Sequence, residues 1–129
     1  MPPFFTRVIA PLATSSILIT PMVAADGCYS GGPTWNGVAT SAEITTVLGN
    51  VCYGFEGVFI SGEEKTVCTP VASGGSINWA VKNNEETTRF LSWTDCITNM
   101  ETEIKNCPYG SVQVHDNFRF KDDPNSESC

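Results

Sequence analysis

The chain has 129 residues, 41% of them hydrophobic, with 14 Asp and Glu against 7 Lys and Arg and a single histidine. That length supports one domain around one core, and the acidic balance lacks the basic stripe that nucleic acid or an anionic lipid surface requires. Six cysteines in so short a chain point to a disulfide framework formed in an oxidising compartment.

The first 25 residues have the layout of a secretory signal peptide: Met1 to Thr6 followed by one cation, Arg7, an apolar run from Val8 to Val23, and the small residues Ala24 and Ala25. Pro11, Pro21 and the cluster Thr14, Ser15 and Ser16 interrupt the run and leave it shorter than the ~20 residues of a membrane span. The expected division is a removed leader, residues 1–25, and one domain, residues 26–129, secreted to the extracellular space with no membrane insertion. Losing Arg7 leaves 14 acids facing six cations.

All the cysteines, Cys28, Cys52, Cys68, Cys96, Cys107 and Cys129, fall in the domain. Three bridges are expected, each contributing about 2–4 kcal/mol, with connectivity open among about 15 pairings. Zinc is the competing use of cysteine, but no C-x-x-C pair occurs and His115 has no second ligand nearby in sequence. Neither a metal nor a cofactor is expected.

After a Gly- and Pro-containing entry, Gly27 to Gly37, helix formers with apolar residues at Val38, Ala42, Val47, Leu48 and Val51 predict a first helix over 38–51. Val58 to Ile60 and Lys65 to Cys68 flank the turn-like Ser61-Gly62-Glu63-Glu64 and read as a hairpin. Past the loop Ser73 to Ser76, Ile77, Trp79 and Val81 alternate with Asn78, Ala80 and Lys82 as in a half-buried strand. Ser92 with Asp95 three residues on predicts the start of a second helix, whose apolar stripe is Trp93, Ile97, Met100 and Ile104, bordered by Cys96 and Cys107 and stopped by Pro108 and Gly110. The last strand is expected over 111–121, with Val112, Val114, Phe118 and Phe120 on one face and Gln113, His115, Asn117, Arg119 and Lys121 on the other. Two helices on one face of a small antiparallel sheet make an α+β domain whose other sheet face is polar and solvated.

Catalytic inventories are thin. A phosphate-cleaving site needs acid and base groups of which His115, Arg119 and a glutamate supply only part, since no second histidine exists. The neighbouring acids Glu63-Glu64, Glu85-Glu86 and Asp122-Asp123 read as solvated charge in turns and a tail rather than a glycosidase pair. Sugar recognition asks for an aromatic beside short amides and cations, and that inventory is present. Candidate glycan-binding residues are Tyr29 and Trp35 in the entry loop, Asn78, Trp79, Lys82 and Asn83 on or after the middle strand, and His115, Asn117 and Arg119 on the last. Core packing is the competing role for Trp35, Trp79 and Trp93 in a domain this small.

Cys28-Tyr29-Ser30-Gly31 followed by Trp35, then Cys52, the stretch Cys96 to Cys107, and the ending Phe118-Arg119-Phe120-Lys121-Asp122-Asp123-Pro124-Asn125 to Cys129 resemble a family of small secreted six-cysteine fungal proteins that includes a mushroom glycan-binding protein. The resemblance spans nearly the whole of 26–129. It implies an α-β-β-α-β domain with three disulfides and lectin activity toward glycans bearing N-acetylgalactosamine and fucose, without catalysis. Glu127-Ser128 before the last cysteine and Pro108-Tyr109-Gly110 after the fifth depart from the pattern, which bears on loop shape and sugar specificity. The partners expected are glycans or glycoproteins. The alternative from another class is a secreted effector or toxin that binds a host or competitor protein.

Overall fold

The computed structural model describes residues 27–129; the expected leader, residues 1–25, lies outside them. In chain order the elements are β1 (Gly27–Cys28), α1 (Trp35–Val38), α2 (Ser41–Phe55), β2 (Gly57–Phe59), β3 (Glu64–Pro70), β4 (Ser76–Asn83), β5 (Arg89–Leu91), α3 (Trp93–Asn106), β6 (Ser111–His115) and β7 (Phe118–Asn125). Five strands form an antiparallel sheet in the order β1-β6-β7-β4-β3, and β2 pairs with β5 in a separate two-stranded sheet. The α+β class and the packing of two long helices on one sheet face are as the sequence indicated.

Local chemistry explains where the helices begin. The hydroxyls of Thr34, Thr40 and Ser92 accept from the backbone N–H of Gly37, Glu43 and Asp95, so each helix starts on a side chain that satisfies one of its orphan donors. Helix α2 buries Ile44, Leu48, Val51, Cys52 and Phe55, a stripe at helical spacing. Helix α3 buries Cys96, Met100 and Glu103, so its inward face is rotated from the expected stripe: Ile97 and Ile104 are half-buried and Trp93 is exposed. The bridge Cys52–Cys96 fixes that rotation by tying the faces of α2 and α3 together.

The other bridges are Cys28–Cys107, from β1 to the end of α3, and Cys68–Cys129, from β3 to the chain end. Between helices and sheet lie Trp35, Leu48, Phe55, Phe59, Ile77, Trp79, Val81, Leu91, Met100, Phe118 and Phe120, all buried. Trp35 and Trp79 are neighbours, 6.0 Å between ring centres.

Two expectations need correction. Val58 to Ile60 does not form a hairpin with Lys65 to Cys68: a turn does close there, with Glu63 N–H donating to the Ile60 carbonyl, but β2 pairs with β5 and β3 with β4. Phe59 drives this arrangement, since its buried ring meets Phe118 edge-on at 5.5 Å and carries β2 off the main sheet. The final strand is two strands. Asp116 and Asn117 both adopt positive φ, 49° and 59°, forming the tight two-residue turn whose twist matches a hairpin. Reversal at that turn exchanges the faces: Gln113 and His115 share a side with Phe118 and Phe120, while Val112 and Val114 share the opposite side with Arg119 and Lys121.

Candidate functional site

Alternation along β3, β4, β6 and β7 leaves one sheet face free of helices. Its cross-strand register sets Glu64, Lys82, Arg119 and Val114 in one row and Thr66, Ala80, Lys121 and Val112 in the next; Cys68, Asn78 and Asp123 follow. Tyr29, just past β1, is anchored by its N–H to the Gly110 carbonyl at 2.9 Å. A depression of about 470 Å³ opens on this face, lined by Tyr29, Thr66, Asn78, Ala80, Arg119 and Lys121 among others. The small side chain of Ala80 keeps its middle low, with longer side chains standing around it.

The lining is polar with one aromatic wall. Burial pushes the Tyr29 phenol up to about 12, with the charges of Asp123 and Asp122 adding to the rise and Arg119 opposing it, so the hydroxyl stays protonated and can both donate and accept. Among the described residues, the side chains of Asn78 and Thr66 make no hydrogen bond, leaving an amide and a hydroxyl available at the surface. Burial also raises the Asp123 carboxyl, while Lys121 works against that rise.

Of the residues singled out from sequence, Tyr29, Asn78 and Arg119 line this depression, and Lys82, the register partner of Arg119, stands on the same face without lining it. The others do not. Trp35 is buried and its indole N–H donates to the Cys107 carbonyl at 2.9 Å; the Trp79 ring lies on the helix side, 1% exposed, so both tryptophans pack the core. Asn83 is fully buried, its amide donating to the carbonyls of Phe59, Ile60 and Thr87 and its oxygen accepting from Glu85 N–H, a clamp on the chain around β2 and β5. Asn117 stands at the β6–β7 turn and donates to Glu85 Oε1 at 2.8 Å. His115 lies on the helix side because the turn reverses the strand. Thr66, Lys121 and Glu64 were missed; Lys121 shares the alternation of Arg119 and was findable, whereas Thr66 and Glu64 reach the face only through the β3–β4 pairing.

Beneath the sheet lies a second polar cluster. Asp122, expected in a solvated tail, is instead fully buried on β7, and Glu103, 1% exposed, meets it from α3. Glu103 Oε1 is 3.1 Å from His115 Nε2, and Ser111 Oγ is 3.4 Å from Asp122 Oδ1. The remaining oxygens, Glu103 Oε2 and Asp122 Oδ2, have no other partner, which one proton held between them resolves. Burial raises the Glu103 carboxyl far above the ordinary range, its hydrogen bond to Asp122 adds to this, and burial raises Asp122 as well. Burial lowers His115, favouring a neutral ring that donates from Nε2 to Glu103. The result is a chain of hydrogen bonds from His115 through the protonated Glu103 to Asp122, with both carboxyl groups closed to solvent.

Among the described residues no group of three or more His, Cys, Asp or Glu is placed to hold a metal ion, and no helix is long and apolar enough to cross a membrane. Neither a protein-family model nor a curated protein matches this chain.

Proposed function

We propose that the protein is a secreted, lectin-like glycan-binding protein that acts by reversible recognition, without catalysis or cofactor, through the depression on the helix-free sheet face. The observation that carries this reading is the juxtaposition there of one part-exposed aromatic, Tyr29, with the unpaired amide of Asn78 and hydroxyl of Thr66 around the low floor at Ala80. A pyranose ring lays its C–H face on an aromatic and pairs its hydroxyls with short polar side chains, so the site matches one sugar unit in size and chemistry. The three disulfides suit an extracellular life, and the sequence resemblance to secreted fungal glycan-binding proteins points the same way. A single shallow site binds weakly, so clustered glycans would strengthen it through avidity.

The test is a glycan array probed with oxidised protein 26–129 beside Tyr29→Ala and Asn78→Ala. Selective binding by the parent, lost in both variants with the melting temperature retained, is the expected result. Binding that survives both substitutions moves the site elsewhere. Silence from the folded parent on every glycan removes the lectin reading.

One observation favours the second reading, a protein-binding effector. Val58 and Phe90 face each other across β2 and β5, 57% and 61% exposed, with Ile60 beside them at 62%. An apolar patch of that kind is the usual mark of a protein contact.

A further inference from the structure

The three bridges differ in how firmly the fold itself holds their sulfurs together. Cys52 and Cys96, both 0% exposed, lie on facing sides of α2 and α3. Cys28 is exposed, but it pairs with Ser111 in β1, its neighbour Tyr29 donates to the Gly110 carbonyl, and its bridge partner Cys107 is fully buried at the end of α3. Cys129 is placed differently. The β4–β7 ladder ends with Ser76 opposite Asn125, and residues 126–129 continue as an exposed tail outside any strand. Ser76 Oγ donates to the Glu127 carbonyl at 2.7 Å, and the tail then ends on Cys129, bonded to Cys68 of β3. Cys68 stands in one row with Asn78 and Asp123 and lines the depression that also includes Tyr29. The tail is a strap whose covalent buckle sits in the wall of the candidate sugar site, beside Asn78.

Resting on the glycan reading above, we infer that Cys68–Cys129 is a redox-sensitive closure of the sugar site: a small dithiol opens it ahead of the other two bridges, and sugar binding weakens while the fold persists. A reduced bridge re-forms according to the effective concentration at which its two thiols still face each other. Once Cys68–Cys129 is open, Cys129 rides on a short exposed tail and drifts from Cys68, so that concentration falls. Packed helices keep Cys52 opposite Cys96, and the β1–β6 pairing keeps Cys28 beside Cys107, so those bridges close again. In the exchange a thiolate of the dithiol attacks Cys129 Sγ, the bond between the two cysteine sulfurs breaks, and Cys68 leaves as a thiolate that takes up a proton. The second thiolate of the reductant displaces Cys129 from the mixed disulfide, and Cys129 is protonated in turn. The dithiol ends as a cyclic disulfide, having given two electrons and its two protons to the bridge. With the buckle open, the depression loses the ordered wall at Cys68, and a bound sugar must restrain a mobile tail to regain it.

The experiment treats oxidised protein 26–129 with graded dithiothreitol, quenches with iodoacetamide and locates the alkylated cysteines by peptide mass mapping. Each sample is also followed by thermal unfolding and by binding to the glycan that the oxidised protein prefers on the array. Expected is a first intermediate alkylated at Cys68 and Cys129 alone, still unfolding cooperatively, with sugar affinity about fivefold weaker, the worth of one ordinary hydrogen bond. Cys68→Ser/Cys129→Ser should show the same weakening without reductant, and no more of it at the dithiothreitol concentration that opens the wild-type bridge. First alkylation at Cys28 and Cys107, or at all the cysteines together, overturns the inference. An intermediate opened at Cys68–Cys129 that binds sugar as tightly as the oxidised protein also overturns it and leaves the lectin reading intact. A folded, oxidised protein silent on every glycan overturns the lectin reading and the coupling to sugar together, while the alkylation order, read by mass alone, still decides whether this bridge opens first.

Discussion

Replacing Glu103 with glutamine should abolish a loss of stability at alkaline pH that the wild-type protein shows. Folding raises the Glu103 carboxyl above its unfolded value near 4.5, chiefly by burial, so the unfolded chain gives up this proton first. The favourable contribution is complete below that value and drains as pH climbs toward the folded one. Each pH unit in between costs about 1.4 kcal/mol, so the interval from pH 7 to 8.5 removes about 2 kcal/mol, or about 10 °C of melting temperature in a domain of this size. The interval isolates Glu103 from its neighbours. His115, whose pKa is lowered, loses stability only as pH falls below about 6.5, and Tyr29 titrates only beyond its ordinary value of 10. In Glu103→Gln the amide N–H donates permanently to Asp122 and the amide oxygen accepts from His115, which preserves the chain of hydrogen bonds without the titrating proton. Urea or thermal unfolding at half-unit steps of pH, with bridges intact, measures both proteins. A flat wild-type profile from pH 7 to 8.5, or the same slope in the glutamine variant, refutes the shared-proton argument.

Two further outcomes follow from the packing. Trp79→Ala removes a fully enclosed ring from beside Trp35 and should cost about 3–5 kcal/mol in urea unfolding; unchanged stability would show the ring outside the core. Gly110→Ala should destabilise by about 2 kcal/mol or more, since Gly110 has φ +91° and an added Cβ would stand 2.4 Å from the Asp122 carbonyl oxygen. A variant that melts with the wild type would mean the backbone at 110 yields at no cost, and because Tyr29 hangs from this carbonyl, sugar binding is the second readout.

Features set by neighbours in sequence were legible without the structure. Ser92 and Asp95 announced α3 because a cap is a contact three residues long, and the alternation from Ile77 to Lys82 correctly put Trp79 and Lys82 on opposite faces. Features set by distant partners were not. Nothing local tells β2 that its partner begins thirty residues on, and β3 is the nearer strand-like segment. The Asp116-Asn117 turn contains no glycine and continues the apolar-polar alternation, so it hid within one long strand and inverted every side-chain assignment before it. That inversion moved His115 away from the candidate site and kept Arg119 on it. Glu103 and Asp122 look like surface charge because a carboxyl group becomes buriable only when a proton-sharing partner arrives from another element. Asn83 likewise looks like a sugar ligand until the three carbonyls it serves are seen.

The disulfide pattern has a covalent consequence. The span from Cys28 to Cys107 overlaps the span from Cys68 to Cys129, and the two together cover every peptide bond between Cys28 and Cys129. A protease that cuts once anywhere in that interval, whether at the exposed tip near Ser73 and Gly74 or in the stretch from Glu86 to Thr88, therefore releases nothing. The two pieces remain one molecule, seated around the same core, and migrate as a single band until a reductant separates them.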